Sequence, residues 1–180
     1  MRNFLCSLLA AFAVSLGAAQ SPQTSAPAGA KAAKPAEVTA IKVQAAGIFA
    51  ATTQASQKPA AEGIPFTAVK DVHLVKRTTT VQIGKGVNFG FQYVAMGKPL
   101  GERTTLHFVV IYPAPGISKP GASSPITRDE YDEKVRIGVK GSFDGYELDN
   151  DWEMLPGVWT LEIWNGTNKL ASQTFTLVQQ

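Results

Sequence analysis

The chain has one cysteine, two histidines and, after its first twenty residues, no segment with convincing helical periodicity. Each shortage excludes something. Cys6 lies inside an apolar N-terminal run, so a processed chain would hold no thiol at all. That excludes a disulfide framework, a cysteine nucleophile and a Cys-based zinc site. A domain exported without disulfides is held by its own core, and the roughly 140 residues beyond the leader and linker suffice for one. His73 and His107 stand far apart on strand-like segments, and a metal there would need carboxylates to complete the set. Both are read as polar or edge residues. No Gly-x-Ser-x-Gly elbow is present and the serines cluster in loops, so a hydrolase triad has no recognisable context. Gly84-x-Gly86 falls between strands with no helix following, unlike a phosphate-binding loop. Lys76-Arg77 is the only adjacent basic pair, and no dense basic cluster marks a nucleic-acid footprint.

The ends and the charge distribution say more. "MRNFLCSLLAAFAVSLGAAQ" joins a basic start at Arg2 to the apolar run Leu5 to Leu16 and the small residues Gly17-Ala18-Ala19. This reads as a signal peptide over 1–19, cleaved after Ala19, which sends the protein to the periplasm or out of the cell. The run is short for a bilayer span of about 20 residues, and membrane attachment enters only if the leader stays uncleaved. Residues 20–37, rich in Ala, Pro, Ser and Lys, read as a flexible linker that buries too little to order itself. Residues 38–180 read as the folded domain. Residues 31–90 carry eight basic and three acidic side chains, and residues 91–180 eight basic and eleven acidic, which makes a modest dipole.

From Val38 the pattern has period two. "IKVQAAGIF" puts Ile41, Val43, Ala45, Gly47 and Phe49 on one face. "ATTQASQKPAAEGIP" reads as a loop and "VHLVKRTTTVQI" as a β-branched strand segment. In "VNFGFQYVAMG", Val87, Phe89, Phe91 and Tyr93 face one way. "TTLHFVVIYP" is apolar on both faces and reads as a central strand. Pro113 to Asp132 reads as a loop, "EKVRIGVKGSF" and "FDGYELD" as weaker strands, and "GVWTLEIW", Asn165-Gly166 and "KLASQTFTLVQ" as a hairpin. About seven or eight such strands make an antiparallel β-sandwich.

Gly47-Ile48-Phe49, "TTTVQIGKGVNFGFQY", the Gly97/Gly101 turn, "YPAPGISKP" and "WEMLPGVWTLEIWNGTNKLASQTFTLV" resemble, in this order, a family of exported bacterial proteins known only as a domain of unknown function. The resemblance runs from about Ile41 to Val178. Its most specific parts are Phe89-Gly90, Pro115-Gly116 and the block from Trp152 to Trp159. It implies an Ig-like sandwich in the bacterial envelope and carries over no catalytic residue.

Candidate ligand residues lie near the C-terminus. Asp149, Asp151 and Glu153 in "FDGYELDNDWE" are hard oxygen donors suited to calcium, although the EF-hand glycine and distal Glu are missing. The plainer reading is a solvated loop, as for "DEYDE" at Asp129 to Glu133. Asp144 with Glu147, or Asp149 with Glu153, offers the residue types of a glycosidase pair, whose separation in space the sequence does not supply. Asn165-Gly166-Thr167 matches a glycosylation sequon, but Asn-Gly reads first as a hairpin turn. Strand parity puts Trp159, Leu161 and Ile163 in the core. Trp164 and Trp152, with Tyr146, are then the rings available for a binding platform. The leading expectation is a non-enzymatic binding or adaptor module for another envelope protein, with no cofactor implied. A carbohydrate-binding module for envelope polymers, using Trp152, Trp164 and Tyr146, is the alternative. A hydrolase or metal-dependent enzyme is the third.

Overall fold

A computed structural model describes residues 35–58 and 66–179, and the side chains of all of these except 53–58 and 66–69. The leader, Cys6 and nearly all of the linker fall outside the described residues. Among these described residues nine strands follow in order: β1 Glu37–Lys58, β2 Phe66–Arg77, β3 Thr80–Gln82, β4 Val87–Lys98, β5 Arg103–Ile111, β6 Arg128–Arg136, β7 Ser142–Leu148, β8 Gly157–Asn165 and β9 Asn168–Val178. One 3₁₀ turn, Asp151–Glu153, links β7 to β8. The strands form a four-stranded sheet, β2-β1-β4-β7, and a five-stranded sheet, β3-β9-β8-β5-β6. The architecture is the expected sandwich with nine strands instead of seven or eight. The pairings are antiparallel except that β3 runs parallel to β9.

Between the sheets lie Phe89, Phe91, Tyr93 and Ala95 of β4, Leu106, Phe108 and Val110 of β5, Trp159, Leu161 and Ile163 of β8, and Phe175 and Leu177 of β9. Trp159 is fully buried, makes edge contacts to Phe89, Tyr112 and Tyr146, and donates its indole N–H to Leu155 O at 2.9 Å. β5 lies between β8 and β6, the interior position expected of it.

Several expectations change. In β1 a register shift between Val43 and Ala45 flips the side-chain parity. Ile41 and Val43 pair with the inward-facing Ala95 and Tyr93, but beyond the bulge Ala46 and Ile48 take the inner face. Ala45, Gly47 and Phe49 therefore point outward. β1 also continues through the expected loop as far as Lys58. The segment "VHLVKRTTTVQI" splits between the two sheets. After Arg77 the Thr78 hydroxyl accepts from Thr80 N–H at 3.1 Å and donates to Thr80 O at 2.9 Å, a local alternative to the β ladder. Finally, "DEYDE" is not loop but the body of β6. Its inner face carries Asp129, Tyr131 and Glu133 before the buried Val135, so the strand shows no apolar alternation to read.

The hairpin between β8 and β9 is also shifted by one residue. Asn165 pairs with Asn168, so Gly166 and Thr167 are the two central residues. Gly166 has φ of 56° and Thr167 a negative φ, which fits a type II′ turn better than I′. Asn165 instead spends its side chain across the sandwich, donating to Val38 O at 2.8 Å.

Candidate functional site

The outer edge strands β6 and β7 lie on the same side of the sandwich, one from each sheet. Inner-face parity on β7 sends Asp144, Tyr146 and Leu148 inward, and on β6 sends Asp129 and Tyr131 inward. All four tyrosines of the chain meet carboxylates here. Tyr131 lies flat against Phe108, its register partner, at 5.1 Å between centroids. From there its hydroxyl donates to Asp144 Oδ1 at 2.8 Å, joining one sheet to the other. Tyr112 donates to Asp129 Oδ2 at 2.8 Å and Tyr146 to Glu153 Oε1 at 3.1 Å. Tyr93 lies close enough to feel both Asp144 and Glu133.

Burial sets the protonation of this seam. It raises the phenols of Tyr93, Tyr112, Tyr131 and Tyr146 above their ordinary range, and the neighbouring carboxylates add to the shift. All four therefore keep their hydroxyl protons. Burial also pushes the Asp144 carboxyl up to about 7, against the Tyr131 hydroxyl and the Gly145 N–H, which favour its charged form; Glu133 raises it further. Asp144 is 3 % exposed. Such a group holds its proton up to about neutrality while it stays buried.

The residues expected to bind a ligand lie elsewhere or are already engaged. Glu153 is buried, and its Oε2 accepts from Asp149 N at 2.8 Å and Asn150 N at 2.7 Å. It secures the 3₁₀ turn in the manner of a capping box, while Asp149 and Asp151 point to solvent. Among the described residues no group of three or more His, Cys, Asp or Glu side chains is gathered to hold a metal ion. Asp144 and Glu147 face opposite sides of β7, so they flank no common cleft. The rings expected to share a surface occupy three places. Tyr146 is in the core. Trp152 packs against the core where β7 hands over to β8. Trp164 lies at the far end of β8, roughly 20 Å away at about 3.3 Å per residue.

Trp164 belongs to a charged layer on the outside of the five-stranded sheet. Its indole donates to Glu162 Oε2 at 2.9 Å, Lys169 Nζ meets Glu162 Oε1 at 2.7 Å, and the same ammonium sits 5.2 Å from the Trp164 ring centroid. Glu162 is nearly buried beneath them. Next to this, His107 is flanked on both ring nitrogens, by Asp132 Oδ1 and Glu130 Oε2, each at 2.8 Å. Arg128 Nε in turn donates to Glu130. These two partners, Arg128 first, hold the Glu130 carboxyl below its usual range. His73, the other histidine, is exposed on β2. A shallow depression of about 470 Å³ borders this layer, lined by Arg103, Thr105, Asp132, Glu133 and Lys134.

The outside of the four-stranded sheet is covered differently. Gly47, Gly90 and Gly145 stand side by side on β1, β4 and β7. Phe49 from β1 and Phe143 from β7 meet across β4 above them, 4.9 Å between centroids. Gln92 on β4 donates to Val72 O on β2 at 3.3 Å, although β1 lies between them in the sheet. β2 therefore curls over the outer face. Beyond Phe49, β1 pairs with β2 alone, through Lys58 and Phe66. Among the described residues the two form a ribbon with no third strand.

The tyrosine seam was not assembled by reading the sequence, because its carboxylates look like solvated charge. The one available signal was the alternation of Asp129, Tyr131 and Glu133 with outward charges in "RDEYDEKVR".

Residues 37–177 match the family model described as "Domain of unknown function (DUF3859)". Among solved structures the chain is similar to an immunoglobulin-like protein from Pseudomonas aeruginosa, with 21 % identity and a TM-score of 0.55. The similarity covers 78 % of this chain and 98 % of that one. At this identity it speaks for the fold, which is Ig-like. No curated protein matches the chain.

Proposed function

The chain belongs to the DUF3859 family of unknown function, and on that premise we propose that it is a non-enzymatic, exported binding module that engages another protein of the cell envelope. The observation that carries this reading is the β1–β2 ribbon. A two-stranded ribbon is marginal in water by itself, and β2 is an edge strand with one neighbour. Such an edge can accept an extended segment of a partner by strand addition. The exposed side chains Lys70, Lys76 and Arg77 on β2 favour an acidic partner segment. Export rests on the leader-like run from Leu5 to Leu16 and the Ala/Pro-rich segment after it.

The test is a pull-down from envelope extract with the full chain, beside a chain carrying Lys70→Glu, Lys76→Glu and Arg77→Glu. The wild-type chain should enrich one envelope protein at low salt, and that protein should slow amide exchange in β2. The charge-reversed chain should lose it. Equal enrichment by both chains, or binding that leaves β2 amides unchanged, would overturn the reading.

A further inference from the structure

We propose that the β6–β7 side of the sandwich is a proton-operated seam, closed while the Asp144 carboxyl keeps its proton and loosened when the proton leaves. The seam joins two edge strands that share no backbone ladder, because they belong to different sheets. Side chains must therefore hold it. The cross-sheet link is the 2.8 Å hydrogen bond from Tyr131 on β6 to Asp144 on β7. Asp144 stands in register with the buried Phe91 and is itself only 3 % exposed. The titratable groups that face it are Tyr131 and Glu133 from β6 and Tyr93 from β4. None of these is a cation, and Glu133 is another carboxylate. A charge on Asp144 would be buried with only neutral donors, an arrangement that low-dielectric surroundings disfavour. Glu133 is exposed and lines the depression beside β5 and β6, so solvent stands at the rim of the cluster.

The direction of the effect follows from linkage. Closed, the carboxyl holds its proton up to about 7. With the seam open the group is solvated and titrates in the ordinary range near pH ~4. Between these limits each pH unit favours the open form about tenfold, and outside them the group contributes no slope. The seam is tight in mild acid and loosest from neutrality upward.

Native-state amide hydrogen exchange on the full chain, corrected for intrinsic rates, reads this directly. Between pH 5 and 7 the β6 and β7 amides should be less protected than those of β8. Their protection should fall about tenfold per unit. Asp144→Asn should remove that slope. The seam does not operate by protons if β6 and β7 exchange only with β8, if wild type shows no slope, or if Asp144→Asn keeps it. Should that variant fail to fold, the carboxyl ¹³C shift of Asp144 in the wild-type chain decides. A midpoint near neutrality supports the seam, and a midpoint in the ordinary carboxylate range overturns it.

Discussion

Trp159 and Trp164 lie on one strand, five residues apart, and opposite parity gives them different energetics. Trp159 has no exposure and touches three other aromatic rings. Trp164 lies flat under Lys169 on the outer face and shares Glu162 with it. Trp159→Ala should therefore cost about 3–5 kcal/mol, as large core truncations do. Trp164→Ala should cost about 1 kcal/mol, because Lys169 still satisfies Glu162. Urea denaturation of the two variants compares them on one scale. Equal losses would mean that the outer layer carries as much stability as the core. Alternation along "GVWTLEIW" was enough to separate these rings. It was not enough for Phe49, which a bulge near Gln44 moved to the other face, because parity survives only while the register does.

At the scale of the strand, the four-stranded sheet depends on three glycines in register. A Cβ at Gly90 would lie 2.2 Å from Asp144 O and 2.5 Å from Gly145 Cα, both backbone atoms that cannot step aside. Gly90→Ala should destabilise by about 3 kcal/mol, the upper part of the overpacking range. Gly86, at φ of 75° with open space around it, is a turn glycine. Gly86→Ala should cost about 1 kcal/mol, from left-handed strain alone. Thermal melts of both variants give the comparison, and a Gly86 effect as large as the Gly90 effect would refute the close-approach account. Strand identity was largely legible where at least one face is apolar, as in β4, β5, β8 and β9. β6 was not, because only Val135 of its inner face is apolar, while Asp129 and Tyr131 are held inside by hydrogen bonds. The continuation of β1 through "ATTQASQK" was not legible either, since small polar residues pattern like a loop and only β2 supplies their ladder.

For the whole molecule, the buried seam makes stability depend on pH in an unusual sense. Asp144 keeps its proton in the folded state up to about 7. Its stabilisation is fully present below pH ~4, where both states are protonated, and is lost as pH rises toward 7. Three units at 1.36 kcal/mol each make the loss roughly 4 kcal/mol, a sizeable share of an ordinary domain's stability of about 5–15 kcal/mol. Burial raises Glu147 as well, in the same sense. Glu130, lowered chiefly by Arg128, acts oppositely and weakly at the surface: its contribution fades as pH falls through the acid range. Urea midpoints measured from pH 4 to 8 should decline toward neutrality in wild type and stay nearly level in Asp144→Asn. A midpoint that rises over that range in wild type would contradict this balance.

What the sequence by itself determined is the local material: period-two strands, the turn glycines, the core face of β8, the absence of any thiol beyond Cys6, and the residue types of a sandwich. These are short-range properties, set by sterics and side-chain alternation within one strand. What only the tertiary structure decided is which polar residues are inside. Asp144, Asp129 and Glu153 are ordinary surface carboxylates until another element brings a tyrosine hydroxyl or a backbone N–H to them. Burial of a charge is a property of the pair and its surroundings; Asp129 and Asp144 meet tyrosines distant in sequence, and Tyr131 and Asp144 lie on different sheets.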